Sequence, residues 1–421
     1  MNNLVIDKME KRNTRIHIVA RMKYVNNSKL WNMLLIFLMP YLVFGGQYVR
    51  IGSITLANIF CLFLAVLGMK KFLQKSIFYI GEINMFFLAI LIYAGISLAW
   101  TDYGNALSIL LSMATGIMVM IYISSLSEKE LIWMSISFYY FTLCIICIAL
   151  LEIFVGCYFF VQNPDFTQRL NTFGLHYPLV LFINTNDLAQ FLLLGLTILL
   201  INPCQQKVMN KIFILLTIGV IAQTVSRMCM LCSVIVMVGY WVLLENRRSK
   251  VKSLVFLSPV AIIGGGWFIS NKWNYISFLV DRLGAFDFDA SYVTGRVEIY
   301  MSLLKAFWDN LVFGRGLGTS YIASEIGPHN FFLFLLTDFG IVWAIVFVGI
   351  LFSVFFSMYR NRKKSICGYY FNRAFLPFLC TFPFFSSVSS ANEQRKTLWI
   401  ALGFMVVVVK FNRTNKVRKN T

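Results

Sequence analysis

Charge is scarce in this chain. Only 13% of its 421 residues are Asp, Glu, Lys or Arg, with 18 acidic residues against 37 basic ones. A water-soluble domain of this length would carry charged outer faces on its helices, and the scarcity excludes one. Histidine is scarcer still, at three residues, and the loop carboxylates offer nothing nearer to metal-ligand spacing than Asp287 and Asp289. No metal and no cofactor is therefore expected. Internal repeats and low-complexity tracts are absent as well, which removes repeat architectures. Cysteines number nine, but Cys144/Cys147 and Cys229/Cys232 stand at CxxC spacing inside apolar runs without His or acid beside them. They read as small core residues rather than zinc or redox sites.

What abounds is apolar surface. Fully 59% of the residues are hydrophobic, gathered in stretches of roughly 15–25 residues that suit a hydrocarbon core at about 1.5 Å per residue. The expectation is an all-α polytopic integral membrane protein, a single membrane domain over 1–421. Twelve spans are expected near 32–47, 51–69, 82–100, 107–125, 131–155, 187–202, 212–225, 228–244, 254–270, 331–358, 367–384 and 397–410. With both ends in the cytoplasm, 26 of the 37 Lys and Arg residues fall inside, including the basic segment 1–30 and the tail 411–421. That asymmetry obeys the positive-inside rule. It also accounts for the formal charge of +19, since basic inner loops meet anionic lipid, and a nucleic-acid partner has no support. The first span, lacking a small-residue cleavage site after a short apolar core, reads as an uncleaved anchor.

On this topology two outer loops hold almost all of the extracytoplasmic polar chemistry. One runs from Gly156 to Asn186 and contains Asp165, Arg169 and His176; the other, 271–330, is about sixty residues long. Within the second, "GRVEIYMSLLKAFWDNLVFG" places Val297, Tyr300, Leu303, Leu304, Phe307 and Trp308 on one helical face. Such a helix fits the outer membrane surface, the mouth of the bundle, or plain packing. Arg296 is expected in its first turn, where free N–H groups favour an anion. Gly314, Gly316 and Gly318 then form "GRGLG", which lacks dinucleotide-fingerprint spacing. The pattern reads as a sharp turn with φ > 0, and its amides are also able to bind an anion. Next come His329 and Asn330, the latter at a helix-cap position. In a regular helix His329 would share a stripe with Gly340, where a neighbouring helix could approach closely, and Asp338 would face the opposite way. Arg227 stands at the outer end of an apolar hairpin, where a charge marks either function or snorkelling.

These residues resemble the O-antigen ligase and polymerase superfamily, which transfers lipid-linked oligosaccharides. The resemblance rests on Ser226-Arg227, on Thr294 to Ser320, and on His329-Asn330 with Gly340 further along. "FINTNDLAQFLLLG", with Asn184, Asn186 and Asp187, is similar to the N-x-N-D segment of exopolysaccharide polymerases. Trp343 stands where ligases of the group often carry a small or hydroxyl residue three positions after the glycine. The resemblance implies a GT-C-type architecture in a bacterial cytoplasmic membrane and a metal-independent glycosyltransferase. Its substrate would be an undecaprenyl-diphosphate-linked oligosaccharide, with a flippase and a chain-length regulator as partners. It further implies that Arg227, Arg296, Arg315, Arg169 and Asn330 hold diphosphate or glycan and that His329 is the catalytic base. A polymerase is the leading expectation. A ligase is the nearest alternative, and a lipid-linked-glycan flippase or other transporter the alternative from another class.

Overall fold

The computed structural model describes residues 27–51, 54–74, 81–160, 175–204, 206–243, 291–324, 327–362, 366–389 and 391–417. The expected span at 254–270, along with Arg169, Asp165, Asp287, Asp289 and Lys252, lies outside these residues. Helices account for most of the described chain: α1 (Asn27–Phe44), α2 (Leu56–Gln74), α3 (Gly81–Ser97), α4 (Ala106–Ser125), α5 (Glu128–Val155), α6 (Thr185–Ile201), α7 (Lys207–Gln223) and α8 (Arg227–Val242). They continue with α9 (Ser291–Trp308), α10 (Thr319–Ser324), α11 (Phe331–Phe334), α12 (Ile341–Asn361), α13 (Ile366–Cys380), α14 (Phe382–Phe385) and α15 (Lys396–Val417). Between α1 and α2 a short antiparallel ladder pairs β1 (Arg50–Ile51) with β2 (Ile54–Thr55).

Three of these helices, α4, α5 and α12, are long and apolar enough by themselves to cross a membrane; α3, α6 and α8 are shorter apolar helices. Their ends follow local chemistry. Helix α5 opens at a capping box, Ser127 with Glu130, and closes where Gly156 turns left-handed at φ 69°. Helix α6 opens where the Asn184 side chain accepts from Asp187 N at 2.9 Å. Close helix crossings are made at glycine. A Cβ at Gly116 of α4 would overlap the Trp399 ring of α15, and one at Gly68 of α2 would press on the Tyr122 backbone.

Connections fall at two ends of the bundle. At the basic end, Asn84 Nδ2 donates to Ser124 Oγ at 2.9 Å, Lys410 Nζ donates to Ser124 O and Leu126 O, and Asn372 and Asn412 exchange amide hydrogen bonds. The opposite, loop end gathers the described residues 98–105, 156–160, 175–184, 309–324, 327–340, 381–389 and 391–395. It is the end expected to face outward.

The expected span 331–358 is interrupted. After α11 the chain widens into a π turn over Leu335–Phe339 and breaks at Gly340, whose φ of 87° leaves the helical region. His329 and Gly340 therefore share no helical stripe, and the close approach at Gly340 comes from the Val312–Gly314 loop rather than from another helix. The helix over 291–308 buries Leu303, Ala306 and Phe307 while exposing Trp308, so Trp308 leaves the face expected of it. Among the cysteines, Cys229 and Cys232 are buried as expected, whereas Cys144 and Cys147 are exposed on α5. Arg373 is buried within α13.

Candidate functional site

The glycine segment forms the turn its composition calls for. Gly314, Gly316 and Gly318 all have positive φ, at 65°, 104° and 94°. The turn presents its amides to the chain's own Asp338 side chain: Gly318 N donates to Asp338 Oδ2 at 2.7 Å and Ser320 N to Asp338 Oδ1 at 2.8 Å. A buried carboxyl group between two oriented N–H groups satisfies the loop internally. Asp338 can reach them because the π turn reorients it, which a regular helix would not allow. The same loop docks on α3 and its C-terminal connection. Leu317 N donates to Ser97 Oγ at 3.0 Å and Thr101 Oγ1 donates to Leu317 O at 2.7 Å. Glu152 does a similar job for another loop, accepting from Leu179 N at 2.7 Å and Val180 N at 2.8 Å.

A third loop, 381–395, brings the remaining groups together, so the polar chemistry of this end is not confined to the two loops expected. Glu393 is fully buried and accepts a short hydrogen bond from the Tyr321 hydroxyl, which also accepts from Gln394 Nε2 at 2.6 Å. Burial raises the Glu393 carboxyl above the usual carboxylate range. Burial, reinforced by the Glu393 charge, raises the Tyr321 phenol too. Two residues on, Arg395 Nη2 meets Asp187 Oδ2 at 3.2 Å, with the arginine side chain 23% exposed and the aspartate 5%. Arg395 Nε also donates to Ser389 Oγ at 3.2 Å. The loop is pinned to α6 by Gln190 Nε2, which donates to Phe385 O at 2.9 Å, and to the His329 segment by Phe331 N, which donates to Ser386 O at 3.1 Å.

Of the expected site residues, His329, Asn330, Arg227 and Asp187 border this loop. His329 is half-buried, has a left-handed φ of 49° and lies two residues before the Phe331–Ser386 hydrogen bond. Arg227, half-buried, is the first residue of α8, which packs on α6 and α14, and Asp187 lies within electrostatic reach of Cys229, two residues beyond it. Asn184 and Asn330 act as helix caps; the Asn330 side chain accepts from Phe332 N at 2.8 Å and Leu333 N at 3.2 Å. That cap occupies the Asn330 oxygen, and only its amide nitrogen is left for a ligand. Asn186 is half-buried at the start of α6.

Arg315 lies apart. It is 53% exposed and meets the more exposed Asp102 at 3.8 Å, a weak surface pair rather than a site contact. Arg296 lies in the second turn of α9, since that helix starts at Ser291, so the first-turn argument for anion binding there does not hold.

Sequence reading missed Arg395, Glu393 and Tyr321. The signal was present as "SSANEQRK", Ser389 to Lys396, a dense polar stretch between two apolar runs. Its partners are remote in the chain, and no local pattern names them. Among the described residues no three His, Cys, Asp or Glu side chains are grouped to hold a metal ion. Chemically this end offers a mostly buried polar cluster along the 381–395 loop, with the Arg395 guanidinium on Asp187, Arg227 at the start of α8, and His329 two residues before the Phe331–Ser386 hydrogen bond. Comparison of the chain with protein-family models and with curated proteins returns no match.

Proposed function

We propose that this protein is a membrane glycosyltransferase that polymerises undecaprenyl-diphosphate-linked repeat units into a surface polysaccharide at the loop end of the bundle. The observation that supports the reading is that the 381–395 loop, which carries Arg395, is hydrogen-bonded to the segment that follows His329 and packs against the helix that opens at Arg227. In the reaction, a sugar hydroxyl of the acceptor attacks the anomeric carbon of the donor glycan. The new glycosidic bond forms as the bond to the diphosphate oxygen breaks. The hydroxyl proton passes to the neutral imidazole of His329, and the electron pair leaves on the lipid diphosphate. Guanidinium groups suit that leaving group because they remain charged and match phosphate oxygens two at a time. Charge placed on the departing diphosphate lowers the barrier most where water is excluded, as it is beside Asp187.

The experiment is complementation of a strain lacking the gene. Arg227→Lys keeps the charge but loses the two-pronged contact, and an effect of about ten- to hundredfold in polymer output is expected if about 1.5–3 kcal/mol of transition-state binding is lost. His329→Gln should stop chain extension while single lipid-linked repeat units accumulate on the outer face. Full-length polymer stranded on the lipid carrier would instead identify a ligase, and repeat units trapped on the inner face a flippase. Wild-type polymer from His329→Gln would remove the histidine from the chemistry.

A further inference from the structure

The helix α9 is expected to turn one face, with Val297, Tyr300, Leu303, Leu304, Phe307 and Trp308, to the outer membrane surface or to the mouth of the bundle. It packs Leu303, Ala306 and Phe307 into the protein, and this leaves a second apolar row that no side chain among the described residues covers. Met301 and Trp308, seven residues or two turns apart, share one stripe. They are 62% and 66% exposed, and the turn that follows adds Val312 and Phe313, the latter 68% exposed. A fold of this kind would be expected to hide side chains of that size unless something apolar meets them.

Two independent observations say what meets them. The first is position relative to a spanning helix. Helix α12 is the least buried of the three helices able to cross a membrane, and its first turns expose Val342 and Ile345. Its start is tied to this turn: Ile341 N donates to Leu311 O at 2.8 Å, and Gly340 packs against Val312. The exposed row is therefore continuous with the outer end of a lipid-facing helix. The second observation is the aromatic company at that level. The Tyr93 hydroxyl donates to Phe313 O, and the Tyr93 ring lies 5.3 Å from Trp343 and 6.1 Å from Trp100. Tryptophan and tyrosine collect where headgroups meet acyl chains, apolar body in and polar tip out. Just past Phe313 the character reverses, with Arg315 and Asp102 exposed as a pair.

We infer that Met301, Trp308, Val312 and Phe313 form a shelf inserted into the interfacial layer of the bilayer, with lipid as its occupant. The boundary between acyl chains and water then passes between Phe313 and Arg315. The shelf holds the glycine turn and Asp338 at the level where a headgroup would lie. This inference stands apart from the proposed reaction and holds for a transporter as well.

The test uses the full chain, with its exposed native cysteines replaced by serine, in nanodiscs of phosphatidylethanolamine and phosphatidylglycerol. Phe313→Cys, Trp308→Cys and Arg315→Cys are labelled with an environment-sensitive fluorophore, and each is required to elute as a single species before measurement. At positions 313 and 308 the emission should be blue-shifted, lost to a nitroxide carried high on the acyl chain, and insensitive to aqueous iodide. At position 315 the pattern should reverse. Iodide quenching at 313 and 308 equal to that at 315 would overturn the inference. Val312→Cys replaces either shelf variant that does not elute cleanly.

Discussion

Two residues show how much a single position decides. Gly340 holds a φ of 87° and sits so close to the Val312 carbonyl that any Cβ would overlap it. Alanine there meets both backbone strain and a clash, and a loss of at least about 1–3 kcal/mol is expected. Gly349 of α12 has nothing within 4 Å of an added Cβ, so its alanine variant should leave thermal stability in detergent unchanged. Equal melting temperatures for the two variants would show that the break at Gly340 is not a required feature. The pair Asp187–Arg395 predicts an asymmetry. Without Arg395 the aspartate stays buried with its charge uncompensated; without Asp187 the arginine, which is partly exposed, turns to water. Arg395→Ala should therefore cost more than Asp187→Ala, toward the roughly 3–5 kcal/mol of a broken buried pair. Unfolding midpoints of the two variants check the order, and a larger loss for Asp187→Ala would contradict it.

At the scale of elements, the glycine turn and the π turn of Leu335–Phe339 are one device. Neither is stable in its observed form without the other. The turn needs an acceptor for the Gly318 and Ser320 amides, and Asp338 needs donors because it is fully buried. Replacing Asp338 by alanine strands two buried N–H groups at about 1–3 kcal/mol each. The expected result is a loop over 314–324 that becomes open to protease in otherwise folded protein, read as a new cleavage between α9 and α11. Asp338→Asn should behave in the same way, because its amide nitrogen would face one of the two donors. A protease-resistant Asp338→Asn variant would mean that one oxygen is enough to hold the turn.

The whole molecule has a basic end and a loop end, and the two ends should lie on opposite sides of the membrane. Arg362, at the foot of α12, and Asp309, in the turn after α9, stand at opposite ends. Cysteine placed at 309 should react with an impermeant thiol reagent from outside the cell, and cysteine at 362 only after lysis. Labelling of both from the same side would break the topology on which the outward-facing site depends.

The apolar runs determined by themselves where helices form, because a run long enough to cross hydrocarbon must satisfy its backbone internally. Helices α4, α5, α6 and α8 lie within a few residues of the places those runs mark. Glycines at 314, 316 and 318 likewise announced a left-handed turn, and Asn330 announced a helix cap, since each effect is local to a few residues. Only the tertiary structure decided that 331–339 departs from a regular helix, because the reason lies in the amides of a loop some twenty residues upstream. It alone placed Arg395 on Asp187, and Tyr321 on Glu393, since no periodicity couples side chains that meet only after the helices have packed. The same packing chose which face of α9 to bury. Its sequence carries apolar residues on more than one side, and the energy that selects among them resides in its neighbours, α10 and the π turn, rather than in the helix itself.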